Sequence, residues 1–277
     1  GDLLNKSGGE PVVLERLGKT GQDLHAFEPS AADIRKLSGA DILICIGSFA
    51  ETWLDGAIRA SGNRSLRVLS MTDVCELHEE EELPGLGEHD HHHDHGHGEG
   101  TQVEYDEHVW TSFGNMARIV TAVRDTLTAA LPEQAATLQA NAASYLLELD
   151  ALHADYQATV ASAADPVLVI ADRYPFAYLM RELGVVCYAA FPGCSSETQA
   201  SFYTQVMLTE TVRDLHLPAV LYVDFGVASV ADAVSRATGV PVRRLWSGQV
   251  ASDTGLSYLD MLRENLVSLR AALGVTG

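Results

Sequence analysis

The segment 133-EQAATLQANAASYLLELDALHADYQATVASA-163 decides the fold, because it predicts one helix that is longer than a small domain needs. Its apolar residues recur at helical spacing and form a stripe of Ala136, Leu138, Ala142, Tyr145, Leu146, Leu149, Leu152 and Tyr156. At a rise of 1.5 Å per residue, about thirty residues span roughly 45 Å. Such a helix is either a coiled-coil arm or a rigid spine between two lobes. We favour the spine, because the sequence holds only one helix of this length.

Short apolar strands alternate with helices on both sides of this segment. Before it, we predict strands at 11–17, 42–46 and 67–71 and helices at 31–37, 51–60 and 114–131. After it, we predict strands at 167–171, 185–190, 219–223 and 242–246 and helices at 176–183, 198–215, 229–238 and 258–273. Ser30 and Asp33 form a predicted capping box for the first of these helices. Wholly apolar strands between helices indicate parallel sheets that are covered on both faces.

The predicted fold class is therefore α/β, with two doubly wound βαβ lobes joined by one long spine helix. We place an N-terminal lobe at 1–132, the linking helix at 133–163 and a C-terminal lobe at 164–277. A ligand in such a protein is expected in the cleft between the lobes, at the carboxyl ends of the strands.

The charge of the chain narrows the choice of partners. Its 38 acidic and 18 basic residues give a formal net charge of −20, which argues against nucleic acid and favours cations. No apolar run approaches the roughly 20 residues of a membrane span. We find no signal peptide in the sequence and expect a processed or trimmed product.

The four cysteines form no CxxC pair. Cys45 lies in an apolar run and is predicted to be a buried small hydrophobe. Cys187 and Cys194 are close enough in sequence for a disulfide. Cys194 lies in the turn-like stretch 192-PGCSSE-197, where it could instead face a site.

The stretch 88-EHDHHHDHGH-97 holds six of the eleven histidines, namely His89, His91, His92, His93, His95 and His97. Neutral imidazoles bind Zn²⁺, and the interspersed carboxylates add oxygen ligands and offset the charge of the metal. The stretch is too polar to pack in a core, so we predict a mobile metal-capturing loop within an acidic and His-rich segment at 76–101. The alternative is a purification tag or an idle insert, which the mid-chain position and the interspersed Asp and Gly disfavour.

Outside this loop, His25 and His108 are predicted in loops at the ends of secondary-structure elements, where a ligand side chain can enter a cleft. The other three histidines, His78, His153 and His216, are interpreted as surface or packing residues.

The surroundings of these two histidines resemble a known family. Residues 21-GQDLHAFEPSAADI-34, followed by 39-GADILI-44, resemble the first metal-ligand segment of zinc and manganese ABC-transporter substrate-binding proteins. Residues 106-DEHVWTS-112 resemble the second ligand segment, and the His-rich loop precedes it as in the zinc-specific members. Residues 256-LSYLDMLRENL-266 resemble the closing helix of that family.

The resemblance implies that His25 and His108 are ligands of Zn²⁺ rather than Mn²⁺, in a cleft between two lobes. It implies delivery of this divalent metal ion to the membrane permease of an ABC transporter. It also implies an extracytoplasmic location, either periplasmic or lipid-anchored at the cell surface. We expect a monomer that binds no nucleic acid and is not an enzyme.

The sequence departs from the family pattern in three places. The strand and helix that usually precede the first motif are missing from the sequence. The third ligand segment reads 173-RYPFAY-178, and the guanidinium of Arg173 has no lone pair for a metal. The late segment 246-WSGQ-249 lacks the usual carboxylate.

Other groups must therefore complete the site, because zinc takes about four ligands. The candidates are the thiolate of Cys194, our first choice, and Asp172, Asp224, water or a loop histidine. We predict that Arg173 is a cleft residue without a ligand role, which pairs with Asp224 or holds an anionic ligand.

Two other functions remain open at this stage. A metalloenzyme would need a general base beside the metal, and the sequence contains no HExxH or comparable motif. A metal buffer or a surface adhesin-like protein would retain a degenerate cleft site. We further predict that His25 and His108 approach each other, and that 79–101 is disordered without metal and dispensable for the fold.

Overall fold

The computed structural model describes residues 12–18, 27–48, 51–80, 83, 105–193, 200–224, 226, 228–249 and 255–275. The elements in chain order are α1 (Ala31–Gly39), β1 (Ile42–Cys45), α2 (Leu54–Ser61), β2 (Arg67–Ser70), α3 (Phe113–Ala130), α4 (Ala135–Ala161), β3 (Val167–Tyr174), α5 (Ala177–Leu183), β4 (Val186–Pro192), α6 (Phe202–Asp214), β5 (Val220–Val223), α7 (Ser229–Thr238), β6 (Val242–Leu245) and α8 (Tyr258–Ala272). Single 3₁₀ turns lie at Val109–Thr111 and Pro132–Gln134. Within these described ranges, no helix combines the length and the apolar character needed to cross a membrane.

Among the described residues, the N-terminal sheet has two strands rather than the predicted three. Strands β1 and β2 pair in parallel, with Ile42 opposite Arg67. The strand predicted at 11–17 is wrong for its described part, because residues 12–16 have no regular structure. Val13 and Leu14 are 79% and 58% exposed, so these apolar side chains do not pack against a sheet. A strand needs a hydrogen-bonded neighbour, and the sheet of β1 and β2 does not include this segment.

The C-terminal sheet has four parallel strands in the order β4-β3-β5-β6. Helices α5, α6 and α7 connect them, and β3 is buried along most of its length. This is the doubly wound arrangement that apolar strands between helices predicted. The carboxyl ends of the four strands lie at one edge, which we call the carboxyl edge. It carries, from β4 to β6, the residues Gly193, Arg173, Asp224 and Ser247.

The long helix is confirmed as α4, which has 27 residues and follows the 3₁₀ turn at Pro132–Gln134. Six members of the predicted stripe are buried in it: Leu138, Ala142, Tyr145, Leu149, Leu152 and Tyr156. Of the other two, Leu146 is half-buried and Ala136 is exposed. The hydroxyl of Tyr156 donates to the carbonyl oxygen of Leu262 in α8 at 2.7 Å. The helix therefore joins the core of the C-terminal sheet. The division of the chain at 132 and 163 stays a prediction.

The described residues on either side of the His-rich stretch are paired with each other. Glu79 and Tyr105 form an antiparallel bridge, and the backbone N–H of Asp106 donates to the carbonyl oxygen of His78 at 3.0 Å. Most of the segment predicted to be dispensable, 79–101, lies outside the described residues. Leu83 lies inside this segment, but it is only 8% exposed and packs in the main core, so it contributes to the fold. A dispensable segment must therefore begin after Leu83.

Candidate metal centre

The side chain of His108 is fully buried at the start of the 3₁₀ turn Val109–Thr111. Its Nδ1 lies 2.7 Å from Oδ1 of Asp106, and the same oxygen accepts the backbone N–H of His108 at 2.8 Å. A carboxylate on Nδ1 favours the tautomer that carries its proton there, and it also fixes the orientation of the ring. Nε2 is then the ring nitrogen that offers a lone pair to a metal.

Asp106 is itself held in place from the C-terminal part of the chain. Its carbonyl oxygen accepts the hydroxyl of Tyr178 at 2.7 Å, and the same hydroxyl accepts the backbone N–H of His78 at 3.1 Å. Burial is the main cause that raises the pKa of Tyr178 to about 12. The phenol therefore stays protonated and remains a donor at neutral pH. Tyr178 thus helps to position His108 through Asp106.

The imidazole of His108 packs directly on the backbone of Gly193, the residue after β4. A Cβ atom at position 193 would lie 3.1 Å from Cε1 of His108 and 2.9 Å from the carbonyl oxygen of Tyr174. Only glycine allows this close approach without displacing the ring or the strand. His108 therefore lies at the carboxyl edge, against the ends of β3 and β4.

Trp110 fixes the other end of the short segment that carries His108. Its indole Nε1 donates to the carbonyl oxygen of Ser247 at 2.9 Å, and its own carbonyl oxygen accepts the hydroxyl of Tyr258 at 2.6 Å. The rings of His108 and Trp110 are 5.4 Å apart between centroids. Since Gly193 follows β4 and Ser247 follows β6, the side chains of His108 and Trp110 contact the two opposite sides of the carboxyl edge.

Replacing Trp110 with phenylalanine is expected to lower the free energy of unfolding by about 1–3 kcal/mol, because the buried carbonyl of Ser247 loses its donor. Zinc affinity should fall less than about tenfold, since Asp106 still orients His108. Urea unfolding of the apo protein measures the first effect and a zinc titration the second.

Trp53→Phe is the matched control for this change. The indole N–H of Trp53 has no hydrogen-bond partner within the described ranges, so the substitution removes no bond there. An equal loss of stability in both variants would show that the Trp110–Ser247 hydrogen bond contributes nothing specific.

Two buried acids lie at the ends of the neighbouring strands β3 and β5. Oδ1 of Asp172 accepts the backbone N–H of Arg173 at 2.9 Å, and Oδ2 accepts that of Val223 at 3.1 Å. A Cβ atom at position 226 would lie 1.9 Å from Oδ2 of Asp172, so the backbone of Gly226 closes over this carboxylate. Burial raises the pKa of Asp172, and the charge of Asp224 raises it further. Both oxygens of Asp172 therefore serve the backbone at the strand ends, and its role as a metal ligand stays a prediction.

Asp224 has a different environment. Oδ1 accepts the backbone N–H of Ser247 at 2.5 Å, whereas Oδ2 is buried and has no hydrogen-bond partner within the described part of the chain. Burial raises the pKa of Asp224, and the charge of Arg244 opposes that shift. No hydrogen bond from Arg173 reaches Oδ2, and the predicted pairing of Arg173 with Asp224 stays a prediction.

The remaining predicted ligands fall outside the described residues. These are His25, Cys194 and the six loop histidines His89, His91, His92, His93, His95 and His97. The approach of His25 to His108 therefore stays a prediction. Within the described ranges, no three His, Cys, Asp or Glu side chains are grouped so that they could hold a metal. A full ligand set must include residues from outside these ranges.

The three histidines interpreted as surface or packing residues lie either at the surface or against other side chains. His78 lies beside Tyr178 and Arg181, with its Nδ1 at 3.2 Å from a guanidinium nitrogen. His153 stacks on Phe113 at 4.7 Å, and His216 is exposed.

Sequence reasoning missed the residues that hold His108, namely Asp106, Tyr178, Trp110, Ser247, Tyr258 and Gly193. One of them left a local signal, because Asp106 stands two positions before His108 and can accept both the backbone and the ring nitrogen. Trp110 is also local, two positions after His108, whereas Tyr178, Gly193, Ser247 and Tyr258 are brought in from distant parts of the chain.

The fold and the buried histidine at the carboxyl edge define a class of α/β proteins that bind a ligand beside parallel strand ends. Residues 1–272 match the family model of ZnuA, the periplasmic component A of a zinc-uptake complex, and the chain belongs to this family.

Its relatives include the zinc-binding protein AdcA of Streptococcus pyogenes serotype M3, with 27% identity over 277 residues. That match covers 95% of this chain and 52% of the relative, so the chain spans about half the length of AdcA. The high-affinity zinc uptake system protein ZnuA of Bacillus subtilis is 26% identical over 253 residues, covering 90% of this chain and 77% of that protein.

The fold is also that of a solved structure, the Zn(II)-bound ZnuA-like domain of Streptococcus pneumoniae AdcA. The TM-score is 0.74 at 24% identity, with 98% of this chain and 94% of that chain covered.

Proposed function

We propose that this chain binds Zn²⁺ outside the cytoplasm and delivers it to the membrane permease of an ABC importer. The observation that carries the proposal is the buried His108, whose Nδ1 is held by Asp106 so that Nε2 can bind a metal at the carboxyl edge. The names of its relatives, which are zinc-binding and zinc-uptake proteins, support zinc as the cargo. A monomer with an N-terminal lobe, a linking helix and a C-terminal lobe suits this role.

The proposed ligands are His25 and His108, completed by Cys194 or Asp224. Imidazole and thiolate groups suit Zn²⁺, whereas Mn²⁺ prefers carboxylate, carbonyl and water oxygens. Zinc is therefore preferred over Mn²⁺. His25 would approach from the segment before α1, so the metal would join that segment to His108 at the C-terminal sheet.

The His-rich stretch would serve as an auxiliary capture site. Glu79 before the stretch and Tyr105 after it form a bridge, and Tyr105 directly precedes Asp106. Glu80 lines a small cavity together with Asp106 and Gly193, the neighbours of His108. Zinc held on a loop that starts here would have a raised local concentration at the centre.

The alternative functions are less well supported. The family is a transport component rather than an enzyme family, and the sequence contains no HExxH or comparable hydrolase motif. A metal buffer or surface adhesin-like protein would not need a single histidine fixed as firmly as His108.

A zinc titration of a variant that lacks Glu88–His97 tests the proposed function. We expect the variant to keep one tight site, with a dissociation constant within about threefold of the full chain. Competition with a chromophoric zinc chelator measures this constant. The thermal midpoint of the apo variant should stay within a few degrees, because Leu83 and the bridge of Glu79 and Tyr105 are retained. Loss of nearly all binding on deletion would instead indicate a metal buffer.

A further inference from the structure

The carboxylate of Asp224 is used on one oxygen only. The residue is 7% exposed, its Oδ1 accepts the backbone N–H of Ser247, and its Oδ2 has no hydrogen-bond partner among the described residues. A buried carboxylate oxygen without a donor is unfavourable unless a proton or a cation satisfies it. In Asp172, on the neighbouring strand, both carboxylate oxygens are satisfied, because each accepts a hydrogen bond from a backbone N–H group. Oδ2 of Asp224 is thus an oxygen that can bind a cation, while Oδ1 keeps the carboxylate in place.

The fold places Asp224 and His108 at the same edge of the C-terminal sheet. His108 packs on Gly193 at the end of β4, and Asp224 follows β5, with β3 between these two strands. Neighbouring strands are about 4.8 Å apart, so the two positions are separated by roughly 10 Å along the edge. An imidazole and a carboxylate that reach toward each other, each bonded to zinc at about 2 Å, span such a gap.

The segment that carries His108 is also linked to Asp224 through Ser247. Trp110 donates to the carbonyl oxygen of Ser247, and the backbone N–H of Ser247 donates to Asp224. Ser247 therefore links Asp224 to the segment that carries His108.

We propose that Asp224 provides an oxygen ligand to the zinc ion that His108 binds, in place of the carboxylate missing from residues 246–249. This inference rests on the proposed function. Gly248 in that late segment has a φ of +69°, and a Cβ there would contact the Tyr258 ring at 3.5 Å and Nε1 of Trp110 at 3.6 Å. The positive φ disfavours a side chain at 248, whereas the contacts of a Cβ atom there would be ordinary. The carboxylate comes instead from the neighbouring strand end, which contacts the same loop through Ser247.

Asp224→Asn separates the ligand role from the structural role. Asparagine keeps an Oδ1 acceptor for the N–H of Ser247 and replaces only Oδ2, so the contacts of Ser247 and Trp110 persist. We expect zinc affinity to fall at least about tenfold. The thermal midpoint of the apo variant should be no lower than that of the wild type, because a buried carboxylate oxygen without a donor is removed. The visible absorption of the Co²⁺-loaded variant should change, since its ligand set changes.

Asp172→Asn is the control for loss of a buried carboxylate in the same sheet. Both oxygens of Asp172 accept backbone N–H groups, so asparagine removes one acceptor and should lower the thermal midpoint of the apo protein. The substitution should leave zinc affinity within about threefold and the Co²⁺ spectrum unchanged. Asp224→Glu, which keeps the charge, should retain more affinity than Asp224→Asn and provides a second test if asparagine impairs folding.

The same titration of His108→Ala distinguishes the two proposals. If His108→Ala loses binding while Asp224→Asn keeps the wild-type affinity and Co²⁺ spectrum, Asp224 is not a ligand and the proposed function stands. If Asp224→Asn binds zinc more weakly with an unchanged Co²⁺ spectrum, its role is structural and the inference is overturned. If His108→Ala binds as the wild type does, the proposed function itself fails.

Discussion

Replacing His108 with alanine is expected to weaken zinc binding at least about 100-fold, or ~2.8 kcal/mol. Structural zinc sites bind with about 10–16 kcal/mol shared among about four ligands, so the loss of one ligand removes roughly a quarter of that energy. The effect should exceed that of an exposed histidine because Asp106 and Gly193 fix the ring of His108 before the metal arrives. Competition with a chromophoric chelator measures the change.

His216→Asn is the control for this substitution. His216 is exposed and has a φ of 51°, a conformation that asparagine tolerates. The zinc affinity of the His216→Asn protein should match that of the wild type. Circular dichroism of the apo His108→Ala protein checks that the fold survives the loss of a fully buried side chain. Equal affinities of His108→Ala and His216→Asn, with both proteins folded, would remove His108 from the metal centre.

Local chemistry explains why the helices could be predicted from the sequence. Ser30 accepts the N–H of Asp33 while Asp33 accepts that of Ser30, so the start of α1 depends on residues three positions apart. The pair Ser257 and Asp260 begins α8 in the same way. Helix α7 has the predicted bounds, and it ends at Gly239, which has a φ of 82°. These signals need no distant partner.

The strands were harder to predict because a strand depends on its neighbour. Residues 12–16 have strand composition, yet they do not join the sheet of β1 and β2. Conversely, β3 continues beyond the predicted end at Ala171 through Asp172 to Tyr174. Arg173 and Tyr174 pair with Phe191 and Pro192 of β4 after a register shift, and the sequence of β3 alone contains no trace of that pairing.

The candidate site also combines a local signal, which could be predicted, with distant contacts, which could not. His108 was predicted from its own flanking residues, and Asp106, which holds its ring, is local, but the groups that fix Asp106 and Trp110 in turn lie far away in the chain. Tyr178 binds Asp106 from 72 positions away, and Ser247 and Tyr258 bind Trp110 from 137 and 148 positions away. Only the fold of the C-terminal half brings these groups to the carboxyl edge. A single sequence contains no signal for such contacts.

Replacing Arg173 with histidine is expected to strengthen zinc binding at least about tenfold, or ~1.4 kcal/mol. Arg173 is paired with Phe191 at the carboxyl end of β3, between the strand end that carries Gly193 and the one that carries Asp224. Even at the dielectric constant of water, one positive charge about 6 Å from a divalent cation costs about 1.4 kcal/mol. Histidine removes this charge at neutral pH and adds a nitrogen ligand, so both changes favour zinc.

Arg173→Gln separates the two contributions, because it removes the charge without adding an imidazole. We expect its affinity to lie between those of the wild type and Arg173→His, and the gap between the two variants measures the added ligand. The backbone N–H of residue 173 should still donate to Oδ1 of Asp172, so the end of β3 keeps its structure in both variants. Thermal unfolding of the apo proteins checks this point. Unchanged or weaker zinc binding in a folded Arg173→His protein would mean that the guanidinium is required at the site, for example to hold an anion or a chelated metal.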